Sequence, residues 1–566
     1  VWLLLPFNPD WRWLLEREDS PWYPAMRLFR QPSLGDWAGV IARIAQALAP
    51  DLSALWPQAL DLHQQGRLAE AQALYREVLR HAPGHFDALH MLGVATLQAG
   101  ETRQGIALIG QALALEPNHA DAHSNLGNGW LDLGRPEEAL ACYERALALN
   151  PDHADALNNR GNALQALKRP AEALASYEQA LRLKPAQADT LANCGNALLD
   201  LDRPGDALAC YDQALALNPG HADALINRGN ALQGLTRHGE ALDSYARALA
   251  LRPDYAEAHW NEGLSRLVLG DFERGWAKYE WRWKKKTTVS PLRDFAQPLW
   301  LGRESLQGKT VLLHAEQGHG DTIQFCRYAR HVAARGAAVL LEVQAGLKPL
   351  LAGLEGVGRV LAKGEALPDF DCHCPLLSLP LAFGTRLETI PADIPYLSAD
   401  PARAALWQAR LGPKTRPRVG LAWSGNSAHV NDRNRSVPLA EFARRLGGQA
   451  QWVSLQKQVR EGDWEALQAR RDIAHYGEAL GDFADTAALL VNLDLVIAVD
   501  TAVAHLAGAL GKPVWLLLPF NPDWRWLLGR EDSPWYPSLR LFRQSAPGDW
   551  DGVLARVADA LGRFAP

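Results

Sequence analysis

Three short polar stretches carry the groups in this sequence able to work on a small ligand. Gly318-His319-Gly320-Asp321 closes a loop at the start of a helical pattern. Gly318 and Gly320 offer bare loop backbone, and an aspartate at that place is an ordinary helix cap or a carboxylate presented to a ligand. Ser424, Asn426 and Arg435 fall in the second stretch, residues 424–435. Hydroxyl and amide groups donate hydrogen bonds to an anionic leaving group, and a guanidinium neutralises a diphosphate through two parallel bonds. The third is Asp500-Thr501-Ala502-Val503-Ala504-His505-Leu506, a turn entering a helix with Thr501 and His505 one turn apart. Free amides and the positive dipole end make such a helix start a natural anion site. None of the three stretches carries an Asp-x-Asp metal pair.

A second kind of chemistry is repeated rather than concentrated. Asn125, Asn159, Asn193, Asn227 and Asn261 recur at 34-residue intervals, and Asn128, Asn162, Asn196 and Asn230 follow one turn later. An asparagine side chain both donates and accepts, so a row of them can grip an extended peptide backbone without reading its side chains. The competing reading is that the row bridges neighbouring repeats.

The elements that must position these groups differ between the two halves. From about Ala54 to residue 286 the sequence repeats every 34 residues, with units from Ala54, Ala88, Ala122, Ala156, Thr190, Ala224 and Ala258. Small residues (Ala71, Gly105, Ala139 and their successors) let two helices approach, and tyrosines (Tyr75, Tyr143, Tyr177, Tyr211, Tyr245, Tyr279) fill the space between units. Prolines such as Pro117 and Pro151 end the second helix, because proline lacks the amide a helix needs. His119, His153 and His221 recur in the turns and need no chemistry. Trp276, Trp281, Trp283 and Trp300 gather where the period breaks, and aromatic burial is expected there.

From Lys309 onward, short apolar runs alternate with helical stretches, the signature of parallel α/β sheets. Strands are expected at 310–314, 338–343, 419–423, 452–455, 495–499 and 514–518, with a helix over 322–335. The three polar stretches all follow such strands, and ligands of α/β folds sit beyond the carboxyl ends of strands. The expected division is a repeat array at 50–286, a linker at 287–307, one lobe at 308–398, a connection at 399–417 and a second lobe at 418–566.

Residues 1–49 are anomalous. Residues 1–48 match 514–561 at a constant offset, and the first fifteen are identical. The simplest account is the tail of a second copy of the same domain, functionally passive; the rival is a segment that swaps into the equivalent site.

Composition narrows the class. Apolar content of 48% and charged content of 22% are ordinary for a globular chain, and a net charge of −6 gives no general attraction to nucleic acid. Lys284-Lys285-Lys286 reads as a solvated helix end or a small phosphate patch. The six cysteines show no framework spacing and read as reduced thiols. Cys372-His373-Cys374 looks like a metal site without a second ligand pair and is read as a strand with buried thiols. No run reaches the ~18 apolar residues of a membrane span, so a cytoplasmic protein is expected.

The 34-residue unit is similar to the tetratricopeptide repeat (TPR), whose stacked helix pairs leave a concave binding surface. Residues 308–562 resemble glycosyltransferase family 9, the lipopolysaccharide heptosyltransferases, through Gly320-Asp321 and Asp500–Leu506. That resemblance implies a GT-B fold of two Rossmann-like lobes facing a cleft. It implies Asp321 as general base towards an acceptor hydroxyl, and donor phosphates at Asp500, Thr501, Ala502 and His505. Ala502 stands where the family has glycine, and Asn434-Arg435-Ser436-Val437-Pro438 where it has a lysine before proline. The order of parts resembles the protein O-linked N-acetylglucosamine transferases, whose asparagine ladder holds a polypeptide. The expectation is an α-helical TPR solenoid followed by an α/β GT-B domain. It would move a sugar from a nucleotide sugar, as co-substrate, to a polypeptide or glycan acceptor, with no other cofactor. The alternative is a non-catalytic scaffold with degenerate lobes, binding protein partners through the repeats.

Overall fold

The computed structural model describes residues 1–48, 52–285, 293–429 and 431–564. Lys286 of the basic cluster, and residues 287–292 of the expected linker, lie outside the described residues. The chain divides into two compact units, residues 1–202 and 203–566.

In the first unit, strands β1 (Trp2–Leu5) and β2 (Arg27–Arg30) pair in parallel, followed by a helix, Trp37–Leu48. Repeat helices follow: Leu52–Gln64, Leu68–His81, Phe86–Gln98, Thr102–Leu115, Ala120–Asp132, Pro136–Leu149, Ala154–Ala166, Pro170–Leu183 and Ala188–Asp200. The period is enforced by fit. The ring of Tyr143 lies against Gly127, where an added Cβ would come within 2.6 Å, and Tyr177 lies likewise on Gly161 at 2.3 Å. Proline at the first helical position (Pro136, Pro170) starts second helices where its missing amide costs nothing. The periodic histidines are caps: Nδ1 of His119 and of His153 accepts the amide three residues on, at 3.3 Å.

The second unit continues with repeat helices Pro204–Leu217, Ala222–Gly234, His238–Leu251, Ala256–Val268 and Phe272–Tyr279, the last running into a 3-10 segment, Glu280–Lys284. Two all-parallel sheets follow. The first holds β3 (Thr310–His314), β4 (Ala338–Val343), β5 (Arg359–Ala362) and β6 (Cys372–Pro375) in the order β5-β4-β3-β6. The second holds β7 (Arg418–Ala422), β8 (Gln451–Ser454), β9 (Ile473–His475), β10 (Leu495–Val499), β11 (Val514–Leu518) and β12 (Leu539–Arg543) in the order β12-β11-β10-β7-β8-β9. The central strands β7, β10 and β11 are buried along their whole length, as strands covered on both faces must be.

Three features differ from the sequence reading. The connection expected at 399–417 is largely the helix Pro401–Leu411, started by Asp400, whose carboxylate accepts from Arg403 N at 2.8 Å. Arg403 bonds Asp482 and Asp485, both at 2.9 Å, fastening that helix to the second lobe. The helix expected over 322–335 begins earlier, at His319, and breaks at Cys326–Tyr328 into a 3-10 turn before Ala329–Ala333. Finally, the tryptophan cluster does not form one seal. Trp276 and Trp300 both enter the α/β core, Trp300 packing on Phe383, while Trp281 stacks on His259 at 3.9 Å.

Trp276 is 2% exposed, donates to the Thr385 carbonyl at 2.9 Å and meets Trp524 edge-on at 5.1 Å. Leu267, Val268, Phe272 and Tyr279 share that core, so the last helix pair is part of the α/β domain's own interior. Trp276→Ala is expected to lower the stability of the second unit by about 3 kcal/mol, since a buried indole leaves an unfilled cavity. Urea unfolding followed by near-ultraviolet circular dichroism measures it; an unchanged midpoint contradicts the assignment.

The duplicated segment keeps its twin's geometry. Trp2 pairs with Arg27 as Trp515 pairs with Arg540, in the same register. Its setting differs, because β11 has neighbours on both edges whereas β1 pairs only with β2 among the described residues. Trp11 is 68% exposed and its counterpart Trp524 4%; Trp22 is 62% exposed and Trp535 0%. Gly529 has also become Glu16, which keeps a left-handed φ of 56° that favours glycine.

Candidate functional site

The site forms where the carboxyl ends of β3, β7 and β10 deliver their loops. Helix His319–Phe325 packs directly on helix Ala502–Ala509. A Cβ on Gly320 would lie 2.9 Å from His505 Cδ2 and 3.5 Å from Ala502 Cα, so the approach requires glycine. Asp321, at the third helical position, therefore stands beside the start of the second helix. Its Oδ2 accepts from Gly318 N at 2.8 Å, which is the cap reading in part. Its Oδ1 pairs with Arg525.

Arg525 is the organising group that sequence reasoning missed. It is 7% exposed and contacts Asp321 and Gln324 of one lobe and Asp523 of the other, with Nε to Gln324 Oε1 at 2.7 Å and Nη1 to Asp523 Oδ1 at 2.8 Å. Its guanidinium lies over Trp524 at 4.4 Å. The carboxylates outweigh the penalty of burial and hold Arg525 charged, raising its pKa. The signal was Asp523-Trp524-Arg525-Trp526, a charge pair set in an aromatic run. A second bridge runs from Arg327, 1% exposed, to the Trp535 carbonyl at 2.7 Å and the Tyr396 hydroxyl at 3.0 Å.

The expected phosphate-binding residues divide. Thr501 caps helix Ala502–Ala509, and its Oγ1 is buried with no hydrogen-bond partner in the protein. Arg435 braces the same turn, Nη1 donating to the Asp500 carbonyl at 2.9 Å, while its Nε is buried without a hydrogen bond. Ala502 sits half-buried at the helix start. Asn426 is exposed, and its Oδ1 accepts Ala428 N at 3.0 Å, an Asx turn.

His505, Asp500 and Ser424 differ from expectation. His505 is 5% exposed, its Nδ1 faces the Tyr536 hydroxyl at 3.0 Å and its ring stacks on Trp526 at 5.3 Å. Burial, and then nearby arginines, push its pKa well below the usual value, so it is a neutral packing group between the lobes rather than a phosphate ligand. Asp500 turns its carboxyl inward, where burial and then Asp523 raise its pKa. Ser424 is 6% exposed and accepts from Gln456 Nε2 at 2.8 Å, tying two loops together. His429, a loop residue not singled out from sequence, has its pKa lowered by burial and then by Arg435.

The asparagine row is a set of bridges. Asn159 Nδ2 donates to Asn128 Oδ1 at 2.9 Å, Asn193 Nδ2 to Asn158 Oδ1 at 3.2 Å and Asn261 Nδ2 to Asn230 Oδ1 at 2.7 Å. Asn125 faces His90 Nε2 at 3.0 Å, and Asn227 accepts from Asn230 at 3.4 Å. The tyrosines join in, Tyr143 donating to Asn128 and Tyr245 to Asn230. The expected peptide grip therefore shares these side chains with contacts within and between neighbouring repeats.

Cys372 and Cys374 are buried on β6, burial raising both thiols, and His373 Nδ1 meets His314 Nε2 at 3.2 Å. Among the described residues no three His, Cys, Asp or Glu side chains form a metal-holding group. Burial lowers His314 to about 3. A neutral buried histidine stabilises fully above its unfolded value near 6.5, and that stability is lost as pH falls through the window down to about 3. His314→Gln is therefore expected to lose less stability on acidification than the parent. The gap in melting temperature between the two should narrow below pH 6.5, and parallel curves contradict it.

Comparison with known proteins bears on the repeats. Tetratricopeptide-repeat models match residues 62–128, 127–188, 195–234 and 226–280, so these residues are a TPR array, a scaffold for protein–protein contacts. Protein FlbA of Caulobacter vibrioides is 30% identical over 335 residues, 53% of this chain and 54% of FlbA. The chain thus spans about half the length of that curated relative. Among solved structures, Pseudomonas aeruginosa pilF is 26% identical, covering 34% of this chain and 88% of its own, with a TM-score of 0.32. YrrB, a TPR protein with an unusual peptide-binding site, is 22% identical, covering 32% and 95%, with a TM-score of 0.29. No described helix is long and apolar enough to cross a membrane.

Proposed function

We propose that the chain is a cytoplasmic glycosyltransferase of GT-B type. It transfers a sugar from a nucleotide diphosphate sugar to the hydroxyl of a polypeptide or glycan acceptor, with the repeats holding the acceptor or its carrier. The observation that carries this reading is the seating of Gly320 on His505 and Ala502, which sets Asp321 beside the start of helix Ala502–Ala509.

In this reading the unpartnered Thr501 hydroxyl and the free amides after it receive the diphosphate. Arg435 holds that turn in place through the Asp500 carbonyl. Asp321 takes the acceptor's proton as its oxygen attacks the anomeric carbon, and the nucleoside diphosphate departs with the electron pair of the broken bond. A carboxylate has about four lone-pair sites, so Gly318 and Arg525 leave room for the acceptor. The test is a panel of nucleotide sugars assayed for release of nucleoside diphosphate. Release from one of them above the no-enzyme rate supports the reading. The scaffold alternative draws on the closed Asp321–Arg525 pair and the buried His505, and no release from any sugar favours it.

A further inference from the structure

The loop that delivers Asp321 is gripped from the repeat side. Glu316, 6% exposed, accepts from Arg282 Nη2 at 3.0 Å. Arg282, 5% exposed, also donates to Ser378 Oγ at 2.8 Å and pairs with Glu280. One residue on, Gln317 donates to the Tyr279 hydroxyl at 3.3 Å. Tyr279 and Arg282 belong to the last repeat helix and its 3-10 extension. The other side of Asp321 rests on the same support. Trp276 and Tyr279 pack edge-on against Trp524, at 5.1 and 6.2 Å, and Trp524 carries Arg525, the partner of Asp321.

We infer that Arg282 and Tyr279 are positioning residues for Asp321, so that the end of the repeat array sets the geometry of the candidate site. A carboxylate on a loop holds its direction only if the groups around the loop are themselves fixed. Within residues 315–318, Ala315 N reaches the Glu342 carbonyl, the Gln344 side chain donates to the Gln317 carbonyl, and Gly318 bonds forward to Asp321 and Thr322 of its own helix. The Arg282–Glu316 ion pair is buried, which makes its geometry strict and its loss local and costly. The consequence for function is that a partner seated on the last repeats has a direct mechanical route to Asp321. The catalytic part of the inference rests on Asp321 being the base.

The experiment compares the full chain with Arg282→Gln and Tyr279→Phe by hydrogen exchange and by kinetics. Amides of residues 316–321 are expected to exchange at least tenfold faster in Arg282→Gln, and detectably faster in Tyr279→Phe. Peptides from β4 and from helix Ala222–Gly234 should be unchanged. On the nucleotide sugar found to turn over, kcat should fall at least tenfold with KM within twofold. Unchanged exchange at 316–321 in both variants overturns the inference, as does an equal rise throughout the domain. Should Arg282→Gln fail to fold, Tyr279→Phe decides alone, since it removes one hydroxyl. A local rise in exchange with no turnover even in the parent keeps the positioning role and removes the transferase reading.

Discussion

Asp321→Asn is expected to abolish sugar transfer, with kcat reduced about 100- to 10,000-fold, the range a general base contributes. Asparagine keeps the shape and still accepts from Gly318 N, so the helix start survives. It cannot take a proton, and it meets Arg525 as a neutral amide. Nucleoside diphosphate binding should be within about threefold of the parent, because the proposed diphosphate site lies on the other lobe. Equal turnover in parent and variant removes Asp321 as the base. Equal loss of binding and turnover marks it instead as part of the lobe contact.

Arg525→Leu carries the next largest effect. It leaves Asp321 and Asp523 without the cation between them, and breaking a buried ion pair typically costs about 3–5 kcal/mol. The deficit should depend on pH, with a sign set by Asp500. Its folded pKa already lies above the usual carboxylate value, through burial and then Asp523, and Arg525 is one of the charges holding it down. A carboxyl raised on folding stabilises in acid and loses that stability as pH climbs through its folded value. Removing Arg525 raises that value further, so the variant stays protonated, and relatively stable, over more of the acid range. Urea midpoints should differ most near pH 8 and converge towards pH 5.5. A constant difference across that range contradicts the network as drawn.

Sequence legibility followed the strength of the repeating constraint. The 34-residue period was readable because the same fit recurs: Tyr143 needs Gly127, Tyr177 needs Gly161 and Tyr245 needs Gly229. Strands β3, β4, β10 and β11 stood out as continuous apolar runs, being covered on both faces. Short β9, three residues long, and β5, with an exposed start, lack such a run and were missed. Helix Pro401–Leu411 buries only Trp407, so its apolar face was weak, although Asp400-Pro401 marked its start.

Within the site, local motifs showed which loops matter but not which way side chains point. Thr501 and His505 are one turn apart, yet only Thr501 keeps an unpartnered polar atom; His505 is turned into the lobe contact by Tyr536, Trp526 and Gly320. Arg525 was only half legible: Asp523 stands two residues away in the sequence, but Asp321 comes from the other lobe, and only the folded chain brings it to the guanidinium.

The most direct measurement is calorimetric titration of the full chain with UDP, GDP and ADP at millimolar concentration, repeated with Thr501→Val. The account predicts that at least one nucleoside diphosphate binds one-to-one, and that losing the Thr501 hydroxyl weakens it about tenfold, roughly 1.4 kcal/mol. Absence of binding by all three in the parent chain, or undiminished binding by the variant, contradicts a diphosphate site at the start of helix Ala502–Ala509.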